Sequence, residues 1–229
     1  MSKVITQSFL IILLMNVKAI GSHVIPFELV GNLIIISAIV DGKEGNYIVD
    51  TGVPIVYLNE NYFAGKMSDK VMYGINGEGS EVSTRYSEIE IAGSVWKSVY
   101  AEIINLESIE QALGKSVHGL LGCRLFRRHM IEFDYAKMEM TISLPDKDAA
   151  TSGHREEVST KIILFKFRGR IPVIDARLGS LDLSLIVDTG SATNILGEES
   201  LKNLTANSIK WDKQRLTGFG KTEIKADAG

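Results

Sequence analysis

Two aspartates end apolar runs in almost the same local sequence. Asp50 lies in YIVDTGVPIVYL, residues 47–58, and Asp188 lies in LIVDTGSATNIL, residues 185–196. An unpaired carboxylate that is taken out of water costs folding free energy, or its pKa rises until the group is neutral. Another group is therefore expected to offset this cost, and the chemistry open to a carboxyl group is the uptake and release of a proton.

The similarity between the two segments extends well upstream of the aspartates. Residues 27–52 align without a gap with residues 165–190, at an offset of 138, and this alignment pairs Gly31 with Gly169. A single Asp-Thr-Gly after a strand is often only a turn. The aligned flanks instead indicate two copies of one supersecondary unit.

Each copy has the pattern of a β-hairpin. Residues 32–40 (NLIIISAIV) are a nearly continuous apolar run of strand length, and residues 181–187 (LDLSLIV) alternate before they become wholly apolar. Turns are predicted at 41–46 in the first copy and at 178–182 in the second. Each aspartate is therefore expected where the second strand of a hairpin enters a glycine-containing loop.

The rest of the chain also favours β structure. Glycine-rich residues 71–93 suggest a hairpin with a mobile tip. Residues 108–114 predict a short helix, with Gln111 completing a weak capping box. The apolar-glycine run GLLG at 119–122 precedes further strands, and the polar and small residues of 145–160 predict a linker.

The composition is that of an ordinary globular protein and excludes several function classes. The chain has 229 residues, of which 45% are hydrophobic and 23% charged, and its formal net charge is −3. Without a long basic run, we expect no nucleic-acid partner. The four histidines and the single cysteine, Cys123, lack metal-ligand spacing, so we expect no metal. Cys123 itself is expected to be a small buried residue and not a nucleophile.

Residues 1–21 have the layout of a secretory signal peptide. Lys3 precedes an apolar stretch, and the small residues Ala19 and Gly21 offer a cleavage position. We therefore expect a secreted or periplasmic protein that, after cleavage, has no stable membrane insertion. An uncleaved membrane anchor is the alternative.

The two Asp-Thr-Gly motifs, the glycine-rich segment after the first, and GLLG followed by MIEFDY resemble the aspartic peptidases, in particular the compact retropepsin type. The resemblance covers nearly all of the chain after the predicted signal peptide. It implies an all-β fold of two related lobes of the closed-barrel type, over 24–144 and 161–229, with a cleft between them. It also implies a peptide or protein substrate in an extended conformation and no cofactor.

By this resemblance, Asp50 and Asp188 are the catalytic pair. The ionised aspartate would take a proton from a water molecule, and the protonated one would hydrogen-bond the scissile carbonyl. The same resemblance implies residues that support the pair, namely Thr51, Gly52, Thr189, Gly190 and Ser191. It also implies a flap that closes over the substrate, formed by Ile75, Asn76 and Gly77.

Two departures from the family pattern bear on this expectation. The position after the first Asp-Thr-Gly holds Val53, where a small or hydroxyl residue is common and the second copy has Ser191. On the 138-residue offset, the counterpart of GLLG would fall beyond Gly229. We therefore expect an incomplete second lobe, from a truncated product or with a second chain completing it.

Three functions are compatible with these patterns. The first is an aspartic endopeptidase. The second is a noncatalytic peptide-binding module, or an inactive truncated homologue, that keeps the cleft without the chemistry. The third is an envelope structural protein built from the β-lobes, which the retention of Asp50 and Asp188 disfavours.

Overall fold

The computed structural model describes residues 22–73, 79–145, 162–197, 212–216 and 224–228, the last two ranges as backbone only. The described chain is all-β, as the sequence predicts, and it contains two short helices, of which only the first was predicted. Within these ranges, no helix is long and apolar enough to cross a bilayer. The predicted signal peptide and flap residues lie outside the described residues, as does nearly all of the predicted linker.

Eleven strands and both helices precede residue 145. The strands are β1 (His23–Pro26), β2 (Glu28–Val30), β3 (Leu33–Val40), β4 (Lys43–Asp50), β5 (Val56–Asn59), β6 (Lys66–Tyr73), β7 (Gly79–Ile91), β8 (Ser94–Ile104), β9 (Gly119–Gly122), β10 (Met130–Asp134) and β11 (Glu139–Ser143). The helices are α1 (Glu107–Leu113) and α2 (Cys123–Phe126).

Most of these strands form one eight-stranded sheet in the order β2-β3-β4-β9-β5-β8-β7-β6. An additional antiparallel pairing of β3 with β7 joins strands that are far apart in this order, so six strands form a closed ring. Strands β1, β11 and β10 form a separate three-stranded sheet. The antiparallel register of β6 with β7 ends at Tyr73 and Gly79, on either side of the predicted flap tip.

The continuous apolar run of β3 follows from burial on both of its faces. Ile34 and Ile36 belong to one hydrophobic cluster, while Leu33 and Ile35 belong to a second cluster on the other face. A strand that is buried on both sides has no polar face, which explains why its sequence does not alternate.

The second part of the chain repeats the beginning of the first. Its strands are β12 (Lys166–Arg168), β13 (Ile171–Leu178), β14 (Leu181–Ile186), β15 (Asp212–Leu216) and β16 (Ile224–Ala228). Strands β12, β13 and β14 form a three-stranded antiparallel sheet, and β15 pairs with β16. On the 138-residue offset, β2 coincides with β12 and β3 coincides with β13, so the predicted repeat is present in the backbone.

The turns of the two copies also match. Gly31 and Asn32 have positive φ angles of 58° and 65°, and their counterparts Gly169 and Arg170 have φ angles of 57° and 77°. Two successive positive φ angles are typical of the tight turns that join antiparallel strands. The same left-handed conformation therefore recurs at the same place in each copy.

Three local predictions need correction. The turn predicted over 178–182 is confined to 179–180, because β13 ends at Leu178 and β14 begins at Leu181. The turn predicted over 41–46 is confined to Asp41 and Gly42, with φ angles of 49° and 80°, because β4 already begins at Lys43. Helix α1 is present as predicted and ends at Gly114 in the left-handed conformation. However, its N-cap is Leu106 with no side-chain cap, so the predicted capping box is wrong.

The ring should depend on the apolar residues of β9. Leu121 has no solvent exposure, so replacing it with alanine leaves a cavity that typically costs about 2–5 kcal/mol. We expect Leu121→Ala to lower the free energy of unfolding by this amount in denaturant titrations. Leu144→Ala, at a side chain that is 49% exposed, is the matched control and should change it by less than about 1 kcal/mol. Equal effects of both substitutions would contradict the assigned core.

Candidate active site

Strand β4 carries Asp50 to the rim of the ring. It lies between β3 and β9, and its parallel pairing with β9 sets Asp50 directly beside Gly122 of GLLG. The last four residues of β4 are buried, and Asp50 itself is only 7% exposed. Local apolar packing therefore forces this carboxylate into a desolvated position.

Asp188 follows β14 in the second copy but is exposed. Strand β14 is at the edge of its described three-stranded sheet, so fewer elements cover the loop that follows it. The two aspartates therefore occupy equivalent places in the repeat and different environments in the fold.

The structure brings the two carboxyl groups together. A Cβ atom added to Gly52 would overlap the carboxyl group of Asp188, and one added to Gly190 would overlap that of Asp50. A side chain at either glycine would therefore separate the aspartates or displace their loops. This close approach explains why both motifs need glycine after threonine.

Thr51 and Thr189 join the two loops by reciprocal hydrogen bonds. The backbone N–H of Thr51 donates to the hydroxyl of Thr189 at 3.1 Å, and the N–H of Thr189 donates to the hydroxyl of Thr51 at 2.9 Å. Each hydroxyl also donates to a carbonyl of the opposite copy, that of Thr51 to Val187 at 2.6 Å and that of Thr189 to Val49 at 2.7 Å. These four bonds fix the spacing of the aspartates.

Burial dominates the electrostatics of Asp50. Desolvation, followed by the charge of Asp188, raises the pKa of Asp50 to about 7. Hydrogen bonds from the N–H groups of Gly52, at 2.8 Å, and Val53 favour the ionised form and partly offset this effect. Although Val53 has no hydroxyl, its backbone therefore still supports the carboxylate.

Ser191 is placed beside the second aspartate, but its hydroxyl donates to the carbonyl of Thr193 at 2.7 Å. Asp188 instead accepts a hydrogen bond from the N–H of Gly190 at 2.8 Å. Both Asp-Thr-Gly turns thus bind their own carboxylate through the glycine N–H. The support expected from the Ser191 side chain is directed elsewhere in this structure.

Sequence reasoning did not predict that Cys123 would contact the first Asp-Thr-Gly loop. Its thiol donates to the carbonyl of Thr51 at 3.2 Å, and burial, with the charges of both aspartates, raises its pKa to about 11. A neutral thiol is consistent with the expectation that Cys123 is no nucleophile. The clue in the sequence was its place directly after GLLG, the strand that pairs with the first motif.

The glycines of GLLG are needed for close packing. A Cβ atom on Gly122 would overlap the carbonyl of Ile55, in the loop that follows the first motif. The predicted flap residues Ile75, Asn76 and Gly77 lie outside the described residues. Within the described ranges, no group of three or more His, Cys, Asp or Glu side chains is arranged to hold a metal ion.

Comparison with known proteins gives similarity to solved structures only. No protein-family model matches the sequence, and no curated protein matches it. Among solved structures, the chain is similar to a retropepsin-like aspartic protease from Rickettsia conorii, with 20% sequence identity and a TM-score of 0.36. The alignment covers 54% of this chain and 90% of that chain.

The raised pKa of Asp50 predicts a specific pH dependence of stability. The folded state holds this proton more tightly than the unfolded state, in which an aspartate titrates near pH 3.9. The stabilisation that this proton gives the folded state is therefore fully present below about pH 4 and is lost as the pH rises through about 7. We expect the stability of Asp50→Asn relative to the parent to rise over this range, by at most about 4 kcal/mol, since a pKa change of one corresponds to about 1.4 kcal/mol.

Thermal melts at several pH values between pH 3.5 and 8 measure this difference. Asp69→Asn, at an exposed carboxylate of β6, is the control and should follow the parent at every pH. Parallel curves for the parent and Asp50→Asn would contradict the desolvation of Asp50.

The reciprocal threonine bonds predict energetic coupling between the two copies. Thr51→Val and Thr189→Val each remove hydroxyl bonds to the opposite loop and leave a backbone N–H without its partner, at a cost of about 1–3 kcal/mol. We expect a coupling energy of about 1 kcal/mol in a double-mutant cycle measured by denaturant unfolding. Thr51→Ser and Thr189→Ser keep the hydroxyls and should retain most of the stability. Strictly additive valine effects would show that the loops are not joined in this way.

Proposed function

We propose that this protein is an aspartic endopeptidase that hydrolyses peptide bonds with a water molecule activated by Asp50 and Asp188. The observation that carries the proposal is the close approach of the two carboxyl groups, each against the glycine of the opposite motif. Two carboxylates at this separation share a proton, and such a pair can act as acid and base in one step.

The unequal environments suggest how the roles are divided. Asp50 is buried with a raised pKa, so it holds the shared proton. Asp188 is exposed and serves as the base. In the proposed reaction, Asp188 takes a proton from water while the water oxygen bonds to the scissile carbonyl carbon, and Asp50 donates its proton to the carbonyl oxygen.

Breakdown of this tetrahedral species completes the reaction. The proton held by Asp188 passes to the leaving nitrogen as the C–N bond breaks, and the newly formed hydroxyl returns a proton to Asp50. The cleft is proposed to hold its peptide extended, with main-chain hydrogen bonds of the kind that strand addition supplies. We also propose that the protein acts outside the cytoplasm, on the basis of the signal-peptide pattern of residues 1–21.

One observation favours a second candidate, a noncatalytic peptide-binding module. The hydroxyl of Ser191 bonds to Thr193 and not to the catalytic pair, and Asp188 is open to solvent. An aspartate pair that is open to solvent positions the attacking water less strictly. Poor positioning of this water reduces the rate of catalysis more than it reduces the affinity for peptide.

Cleavage of a mixed peptide library between pH 3.5 and 8 tests the proposal. We expect Asp50→Asn and Asp188→Asn to lower the cleavage rate by roughly 10²–10⁴-fold, the usual contribution of a general acid or base. Activity of the parent should fall as the pH rises through about 7, because Asp50 then loses the proton it must donate.

Asp182→Asn provides the matched control, since Asp182 is an exposed residue of β14, the strand that precedes Asp188. It should leave the rate unchanged. If the parent binds extended peptides but cuts none of them at any pH, the binding module replaces the peptidase as the function of this chain.

A further inference from the structure

A groove with a strongly basic lining adjoins the first aspartate loop. It has a volume of about 840 Å³, within the range of ligand-binding clefts. We call it the basic groove; its charged lining residues are Lys70, Lys97, Glu102, Arg124, Arg127 and Arg170. Five of these six side chains are cationic, although the whole chain carries a formal net charge of −3.

The basic groove is continuous with the loop that holds Asp50. Its wall includes Pro54 and Ile55, which follow the Asp-Thr-Gly motif in the chain. The N–H of Arg124 donates to the carbonyl of Pro54 at 3.2 Å, which fixes the start of α2 against this loop. A peptide whose scissile bond lies at Asp50 would therefore enter the groove within a few residues.

The single acid of the groove is already neutralised. Glu102 is 7% exposed and pairs with Lys70 at 2.7 Å, and it also accepts a hydrogen bond from the hydroxyl of Tyr100 at 3.0 Å. In contrast, among the described residues no carboxylate lies within ion-pair distance of the three lining arginines, which are Arg124, Arg127 and Arg170. The three arginines thus add positive charge at the groove and have no ion-pair partner among the described residues.

One of the five cations, Arg170, can be compared with its counterpart in the other copy. Arg170 of the second copy and Pro54 of the first both line the groove. On the 138-residue offset, Arg170 corresponds to Asn32 and Pro54 corresponds to Ala192. Asn32 donates to the carbonyl of Ala192 at 3.3 Å, so the equivalent place in the other copy holds a neutral amide. Arg170 also has a φ angle of 77°, a conformation that asparagine adopts more readily than arginine.

Aromatic and aliphatic side chains form the remaining walls. Trp96, Tyr86 and Tyr100 contribute rings, and Val99 and Leu125 contribute aliphatic surface. Such walls can hold the backbone and the carbon atoms of a peptide while the guanidinium groups bind carboxylates. The groove therefore combines a surface for an extended chain with a charge that selects among side chains.

We propose that the basic groove is a specificity subsite that selects acidic side chains, aspartate or glutamate, on one side of the scissile bond. This inference rests on the proposed peptidase function for its place in the reaction, but it can be tested by binding alone. Each exposed ion pair adds only a modest share of affinity. We therefore expect the three arginines together to give a preference of about tenfold, which corresponds to about 1.4 kcal/mol.

The experiment measures the binding of labelled peptides to the full chain carrying Asp50→Asn, so that cleavage cannot consume the probe. Two peptides are compared by fluorescence anisotropy at low and high salt, one with several glutamates and one with glutamine at the same positions. We expect the glutamate peptide to bind about tenfold more tightly at low salt and to lose this advantage at high salt.

Charge-reversal variants locate the preference. Arg127→Glu combined with Arg170→Glu should abolish it, whereas Arg128→Glu, at an exposed arginine that does not line the groove, should keep it. Arg127→Gln combined with Arg170→Gln is a milder pair that should reduce the preference if the reversal prevents folding. Circular dichroism confirms that each variant is folded.

Several results would overturn the inference. These are equal binding of both peptides, a preference that survives the double reversal, a preference that Arg128→Glu also removes, or tighter binding of a single-stranded oligonucleotide of matched charge. The outcomes are separate from those of the peptidase test. A parent that cuts neutral and acidic peptides equally would refute the subsite alone, and a parent that selects acidic peptides without cutting them would refute the peptidase alone.

Discussion

The reciprocal hydrogen bonds of Thr51 and Thr189 are the constraint on which the site depends. The hydroxyl of each threonine donates a hydrogen bond to a carbonyl of the opposite copy and accepts one from the N–H of the other threonine. The loops are thereby held at one separation, and the glycines that follow allow the carboxyl groups to meet. Without this link, two like charges would move apart, since repulsion and desolvation both oppose their approach.

The two halves of the pair are alike in sequence and unlike in surroundings. Asp50 ends a strand with a neighbour on each side and is desolvated, whereas Asp188 follows an edge strand and is exposed. Identical motifs therefore differ in solvent exposure because of the fold around them. The same asymmetry extends to the basic groove, in which Arg170 occupies the place that Asn32 holds in the other copy.

Sequence alone predicted the features that depend on local pattern. The repeat and its hairpins follow from the offset of 138, because matching sequences form matching strands, whereas the pairing of Asp50 with Asp188 was expected only from the family resemblance. The helix cap at Leu106 and the shorter turn at Asp41 were not predicted, because backbone geometry decides them within one or two residues. The basic groove could not be read from the sequence, because it is assembled from segments as distant as Lys70 and Arg170.

The position of the strands gives the two motifs different resistance to local opening. Strand β4 is hydrogen-bonded on both sides, by β3 and by β9, so Asp50 can be released only if the ring itself is broken. Strand β14 has a partner on one side only within the described sheet. Amide hydrogens around Asp188 are therefore expected to exchange with solvent through smaller fluctuations than those around Asp50.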